Sequence, residues 1–467
     1  MNRSEHFKSR SKDSGSMNEI HKALLLVLFV FIFAGCSVWS NTPEGIPPSH
    51  TALPSITIIP NITPSVKATA TATISMQTSI LIPTETVTKS QVTPREVNCF
   101  QLAFDNVAPI KTEGMIVFSG EFYHSSSYLL DIQSGKKIPL GQSKDEKLTG
   151  FAVSTDQKWL AYQKINTQLG GAEIQIAASN GKVVKAISWE KSWRKIVGWV
   201  NGQTLLISKN RGENEIDSII TLNPFTGQQH EILPNYPKMW IIWAEKAFTW
   251  GSFNTSGTIY NSDLTRVIYP ISDEQKSGVV LWSLPDQKEV VSLFGGFGNQ
   301  PKWSPNEEGF IINLSVRYQG NTRTNEELFY VDKAGKVRQV TNLNEADGEA
   351  SIGFFNWSPD GKAIAFWLSI EQDDNYPDIY PNSPADYPNR LAILNLVDGK
   401  VMDSCLPGDL NLSPPVWSLN GQYIAIEDYY DSELPFNGRV FLVDLLKGIA
   451  IKIAENVTPI GWMQSSQ

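Results

Sequence analysis

From about residue 110 to the C-terminus, apolar residues fall in short runs of strand length, and no long helical period appears. Leu328-Phe-Tyr-Val-Asp332 and Arg439-Val-Phe-Leu-Val-Asp444 alternate as half-buried strands do. The runs come in pairs around turn residues. One set of turns is Ser134-Gly135, Asn180-Gly181, Thr226-Gly227, Pro285-Asp286, Ala334-Gly335, Asp398-Gly399 and Lys447-Gly448. Such pairs tolerate the positive φ that a tight hairpin requires. The region therefore predicts a succession of β-hairpins.

A second set of hairpins carries a repeated motif. It is plainest at Trp357-Ser-Pro-Asp-Gly361, followed by Lys-Ala-Ile-Ala-Phe-Trp367. Trp417-Ser-Leu-Asn-Gly421 and Trp303-Ser-Pro-Asn306 repeat it, and weaker copies start at Val153, Trp199 and Tyr260. A last half-copy is Val457-Thr-Pro-Ile-Gly-Trp462. Successive motif aromatic positions lie 43 to 61 residues apart, which suits a four-stranded unit. The two ends of the region hold complementary fragments. Met115-Ile-Val-Phe118 has no inner strand before it, and the copy ending at Trp462 has nothing after its first strand. The pattern predicts an all-β, seven-bladed β-propeller over about 110–464, closed by 457–463 as the innermost strand of the first blade. Closure removes the exposed edges an open ring would leave.

The Trp-Ser-Pro-Asp-Gly units resemble TolB-type, WD-like propeller repeats over roughly residues 110–464. The resemblance implies the fold and says little of function. TolB itself carries an additional N-terminal domain, for which this sequence shows no counterpart. The propellers of prolyl oligopeptidases resemble it too, but their hydrolase domain needs a G-x-S-x-G elbow that is not found here.

The chain before the repeats changes the picture of where the ring works. Ala23 to Ala34 is an unbroken apolar run, too short for a spanning helix and suited to a signal peptide. It ends Phe33-Ala34-Gly35-Cys36, which resembles a lipobox with Cys36 as the lipidated residue. Residues 1–35 are thus expected to be a lipoprotein signal peptide, with the mature protein outside the cytoplasm and lipid-anchored to a membrane of the cell envelope. Residues 36–98 are rich in Thr, Ser and Pro and poor in charge, with prolines at 43, 47, 48, 54, 60, 64, 83 and 94. They read as a disordered stalk, of reach about 45 Å as a random coil. The propeller domain then occupies 99–467. The remaining cysteines, Cys99 and Cys405, are expected to pair in an oxidising compartment.

The formal net charge is −9, and removal of residues 1–35 leaves about −11. So acidic a body argues against nucleic acid as a partner. No triad, phosphate loop, dinucleotide fingerprint or metal-ligand spacing stands out, and nothing calls for a cofactor. His124 and His230 read as surface or edge residues, and the motif tryptophans as inter-blade packing.

The links between hairpins are long and gather on one face, where propellers collect function. Two of them combine acid with Tyr. The 367–389 link holds Asp373, Asp374, Tyr376, Asp378, Tyr380 and Tyr387, and the 427–438 link holds Tyr429, Tyr430 and Asp431. Acceptors beside flat rings suit a protein or glycan partner, while a solvated acidic loop is the plainer reading. The expectation is a binding or scaffolding module. The competing class is a glycan- or peptide-cleaving enzyme using loop carboxylates, which would need two of them facing across a cleft.

Overall fold

The computed structural model describes residues 93–465 apart from 104–109, 111, 121–124, 142–145, 167–170, 190–193, 211–215, 233–258, 273–276, 295–300, 318–323, 344–349, 371–388, 408–412 and 430–437. The described residues form seven sheets, each built on four antiparallel strands, the blades of a seven-bladed β-propeller, and include no helix. The innermost strands of blades 1 to 7 are Thr458–Met463, Glu146–Val153, Arg194–Trp199, Ile259–Tyr260, Lys302–Trp303, Ala350–Trp357 and Val416–Trp417. Each is followed outward by three further strands in sequence order. Blade 1 is the exception: Thr458–Met463, from the C-terminus, pairs antiparallel with Met115–Ser119 near the start of the propeller. The complementary half-units at the two ends therefore join as the sequence implies.

The repeat motif builds the inner turns of blades 2, 4, 5, 6 and 7 on one plan. Ser154, Ser304, Ser358 and Ser418 donate from Oγ to Asp156, Asn306, Asp360 and Asn420 at 2.6–2.7 Å. In blades 2, 6 and 7 the same Oγ accepts the N–H five residues on, at 2.9 Å. In blade 4, Asn261 replaces the Ser and its Oδ1 accepts the Arg266 N–H at 2.8 Å. The fifth motif position, three residues after the Ser, has φ near +60°, filled by Gly361 and Gly421 in blades 6 and 7 but by Gln157, Leu264 and Glu307 in blades 2, 4 and 5. The left-handed conformation costs a residue with a Cβ about 1 kcal/mol, which the surrounding hydrogen bonds offset. At Glu307 the carboxylate also reaches the neighbouring turn, accepting the Ser262 N–H at 2.8 Å and its Oγ–H at 2.6 Å.

Neighbouring blades are stitched at two levels. The motif indoles of Trp199, Trp357 and Trp417 donate to Ala152, Lys302 and Asn356 carbonyls on the preceding blade's innermost strand, at 3.0–3.2 Å. These rings are structural, as their recurrence suggests. A second layer lies nine residues after the motif Ser. There Asn313 Nδ2 donates to Ile352 O at 3.0 Å, Trp367 Nε1 donates to Ser413 O at 2.8 Å, and Glu427 accepts from Thr458 Oγ1 at 3.5 Å. Each bond reaches the next blade's innermost strand or the residues leading into it. Between these polar layers the apolar faces pack, as Ile116, Phe118, Ala425, Leu442 and Trp462 do where blade 7 meets blade 1.

The boundary between stalk and ring lies earlier than the sequence suggests. Residues to 98 were expected to hold no regular element, yet Arg95–Val97 is a strand, running parallel to Val401–Asp403 on the outer edge of blade 6. Gln101–Ala103 pairs in the same sense with Ile449–Ile451 on blade 7. Pro94 precedes the first of these strands, where its missing donor breaks no ladder. Between the two strands a disulfide joins Cys99 to Cys405, with Cα atoms 4.8 Å apart. Phe100 is buried between blades 6 and 7 with Trp367, Trp417 and Phe441. Residues 93–103 thus form a strap over two blade edges.

Beneath the strap, Asp403 is 0% exposed and lies 3.5 Å from the Arg390 guanidinium and 3.8 Å from that of Arg95. Its Oδ1 accepts the Cys405 N–H at 3.0 Å. Removing one member of a buried charged group strands the others. Asp403→Ala should therefore cost about 3–5 kcal/mol, read as a lower denaturant midpoint. Lys400→Ala, which breaks the neighbouring exposed pair with Glu96, should leave the midpoint near wild type. Equal effects from the two substitutions would contradict this account.

Candidate functional site

The hairpin turns, both the motif turns and the second set, share one face, so the links between hairpins emerge on the other. Of the acid-and-tyrosine candidates, Asp373, Asp374, Tyr376, Asp378, Tyr380, Tyr387, Tyr430 and Asp431 lie outside the described residues. Tyr429 ends the strand Tyr423–Tyr429, its backbone opposite Gly438. Cys36 and His124 also fall outside the described residues. His230 stands exposed on the outermost strand of blade 3, with its Nε2 2.9 Å from Gln228 Nε2.

What is described on this side of the ring is a set of carboxylates at the roots of the links. In blade 7, Glu427 and Asp428 close the second strand just before residue 430, and both are buried. Asp428 is ion-paired with Arg439 on the adjacent strand. Burial pushes its carboxyl above the usual range, against the opposing pull of the guanidinium. Strand pairing explains the placement: Asp428 and Arg439 are direct cross-strand partners.

In blade 5, Glu326 and Glu327 sit near the start of the third strand and point to opposite faces, as alternation requires. Glu327 is fully buried, accepting Thr341 Oγ1 at 2.6 Å and the Leu343 N–H at 2.8 Å. Glu326 turns toward blade 6, its Oε2 accepting the Ile352 N–H of that blade at 2.7 Å and, from its own blade, Asn313 Nδ2 at 3.3 Å. Burial raises its pKa, and those two hydrogen bonds only partly offset the shift. These carboxylates are engaged in holding strands and blades together. Among the described residues no group of three or more His, Cys, Asp or Glu is placed to hold a metal ion.

The shift at Glu326 has a testable consequence. A carboxyl with a raised folded pKa binds its proton more tightly in the native state than in the unfolded chain. Stability from this group is therefore fully present below the ordinary glutamate pKa of 4.5 and is lost as pH rises through the folded value. Glu326→Gln keeps an acceptor and has no charge to desolvate. Urea titrations from pH 4.5 to 7.5 should show wild type losing stability relative to the Gln variant as pH rises. A constant difference across that window would refute the assignment.

With this geometry the class is clear: a seven-bladed β-propeller, closed by its C-terminal strand, with a strapped outer rim. No family model and no curated protein matches the sequence. Solved structures match the fold at low identity. TolB from Acinetobacter baumannii aligns over 75% of this chain and 66% of its own, at 14% identity and a TM-score of 0.40. The chain thus spans just under two thirds of that protein's length. An oligogalacturonate lyase from Vibrio parahaemolyticus aligns over 74% and 87%, at 11% identity and a TM-score of 0.47. The Cps50 (Swd1) β-propeller domain from Myceliophteria thermophila aligns over 76% and 100%, at 11% identity and a TM-score of 0.40.

Proposed function

We propose that this chain is an extracytoplasmic, lipid-anchored binding module whose propeller presents its linking face to a protein or glycan partner. The observation that carries the reading is the strap. A disulfide between Cys99 and Cys405 fastens the chain to the outer edge of the ring where it arrives from the N-terminal side. Such bonds persist in oxidising compartments, in keeping with the signal-like run before Cys36. The described carboxylates of the linking face are tied into strand and blade contacts, which suits a rigid platform. The partner surface is assigned to the acid-and-tyrosine links of blades 6 and 7. Asp373, Asp374, Tyr376, Asp378, Tyr380 and Tyr387 belong to one, and Tyr429, Tyr430 and Asp431 to the other.

The test is a pull-down from envelope extract together with a glycan array. It compares the wild-type chain with a folded variant carrying Tyr376, Tyr380, Tyr429 and Tyr430 changed to Ala. A specific partner lost in the variant is the expected result. Turnover of a glycan or peptide by the wild type, abolished by changing Asp374 or Asp431, would replace the binding reading with an enzymatic one. Anchoring is tested separately: Cys36→Ala should leave the protein unprocessed or released. A correctly processed, membrane-bound Cys36→Ala chain would end the lipoprotein reading.

A further inference from the structure

We propose that residues 93–103 are a clasp through which force arriving along the N-terminal chain passes into blade 6 and bypasses the closure of the ring. The tethering reading above supplies the source of the force; the clasp itself rests on the strap's geometry.

The first described residue, Thr93, lies at the edge of blade 5. There Thr93 N–H donates to Asn342 O at 3.1 Å, and Thr93 Oγ1 accepts the Asn342 N–H at 2.6 Å. It then lies along blade 6 as Arg95–Val97 and is bonded covalently at Cys99 to Cys405. Next Phe100 wedges between blades 6 and 7, its N–H donating to Ser404 O at 3.0 Å. Finally Gln101–Ala103 lies along blade 7. The next strand the chain forms among the described residues is Met115–Ser119, the one that holds the closing strand Thr458–Met463.

That order matters under tension. Each parallel ladder of the strap spans only three residues. A force that peeled both would next act on Met115–Ser119, and loss of that strand opens the ring at its seam. With the disulfide intact, force crosses from Cys99 to Cys405 on the outermost antiparallel strand of blade 6, and everything from Phe100 to the seam is shielded from load. The neighbouring Asp403 ties that strand to Arg390 on the next strand inward. Cys99 is exposed, so a reductant can reach the bond from solvent.

The experiment is magnetic-tweezers pulling on the full chain. One handle is on the N-terminal chain and the other is joined by non-thiol chemistry at Val397, a turn residue of blade 6 that is 77% exposed. The oxidised chain should hold its length at forces where the reduced chain, or Cys99→Ser, sheds the strap and opens. Opening should add roughly 1,000 Å, from about 300 residues at about 3.3–3.6 Å each. A reduced strap that holds to the same force as the oxidised one would overturn the proposal, as would an oxidised ring that opens as readily.

Hydrogen exchange without load keeps folding separate from force. Amides of Met115–Ser119 and Thr458–Met463 should stay protected after reduction. Their loss would make the bond a requirement for folding and sink the clasp. The pulling assay needs no lipid, so failure of the Cys36 reading and failure of the clasp are distinguishable.

Discussion

A chain ending at Asn456 should not fold cooperatively. Residues 457–465 supply the innermost strand of blade 1, and with it Val457 at 2%, Trp462 at 3% and Met463 at 0% exposure. Burial of such side chains is worth about 1.5–3 kcal/mol each, so their loss alone removes about 5–9 kcal/mol. A folded domain has only about 5–15 kcal/mol in total. Truncation also exposes the edge of Met115–Ser119 and empties the niche at Gly114. There the backbone has φ +122°, and a Cβ would sit 2.0 Å from the Trp462 indole nitrogen. Circular dichroism of the truncated chain should show no sharp thermal transition. A cooperative melt at the wild-type midpoint would mean that blade 1 is complete without its C-terminal strand.

The second large effect concerns Cys99 and Cys405. Their 306-residue separation makes the bond a constraint on most of the propeller in the unfolded state. In the chain-entropy model a loop of that size is worth about 6 kcal/mol. The double variant Cys99→Ser, Cys405→Ser should unfold at a markedly lower guanidinium concentration, with its native spectrum retained in the absence of denaturant. An unchanged midpoint would argue that the unfolded chain is already compact, and free thiols on both residues in the native protein would remove the premise.

The ring was legible in the sequence because its signal is redundant. Trp-Ser-Pro-Asp-Gly states the turn, the docking onto the preceding blade and the register of two strands at once. Blade 3 shows how far that redundancy stretches. It lacks the motif Ser, yet Asn201 Oδ1 accepts the Gln203 and Thr204 N–H groups at 2.9 and 2.8 Å and sets a hairpin one residue shorter in the same place. The strap was not legible, because its strands pair through backbone in two three-residue pieces, and nothing in Arg95-Glu-Val97 alternates by face. Only Cys99 hinted that the chain docks there.

The polar layer nine residues after the motif Ser was hidden for another reason. Asn313, Trp367 and Glu427 share a position and a task but no chemistry beyond hydrogen bonding, so identity does not reveal them. Aligning the repeats outward from the Ser would have. The acid-and-tyrosine links have no period at all, and a site without a period leaves no trace in a repeat.

Seven near-equivalent blades would make a wheel with no preferred bearing, one that a partner could meet at any of seven angles. The strap ends that ambiguity. Among the described residues, only blades 6 and 7 carry a fifth strand, and Thr93 bonds at the edge of blade 5. The wheel therefore has a fixed azimuth: the strap crosses the rim of every copy at the same point of its circumference and numbers the blades from there.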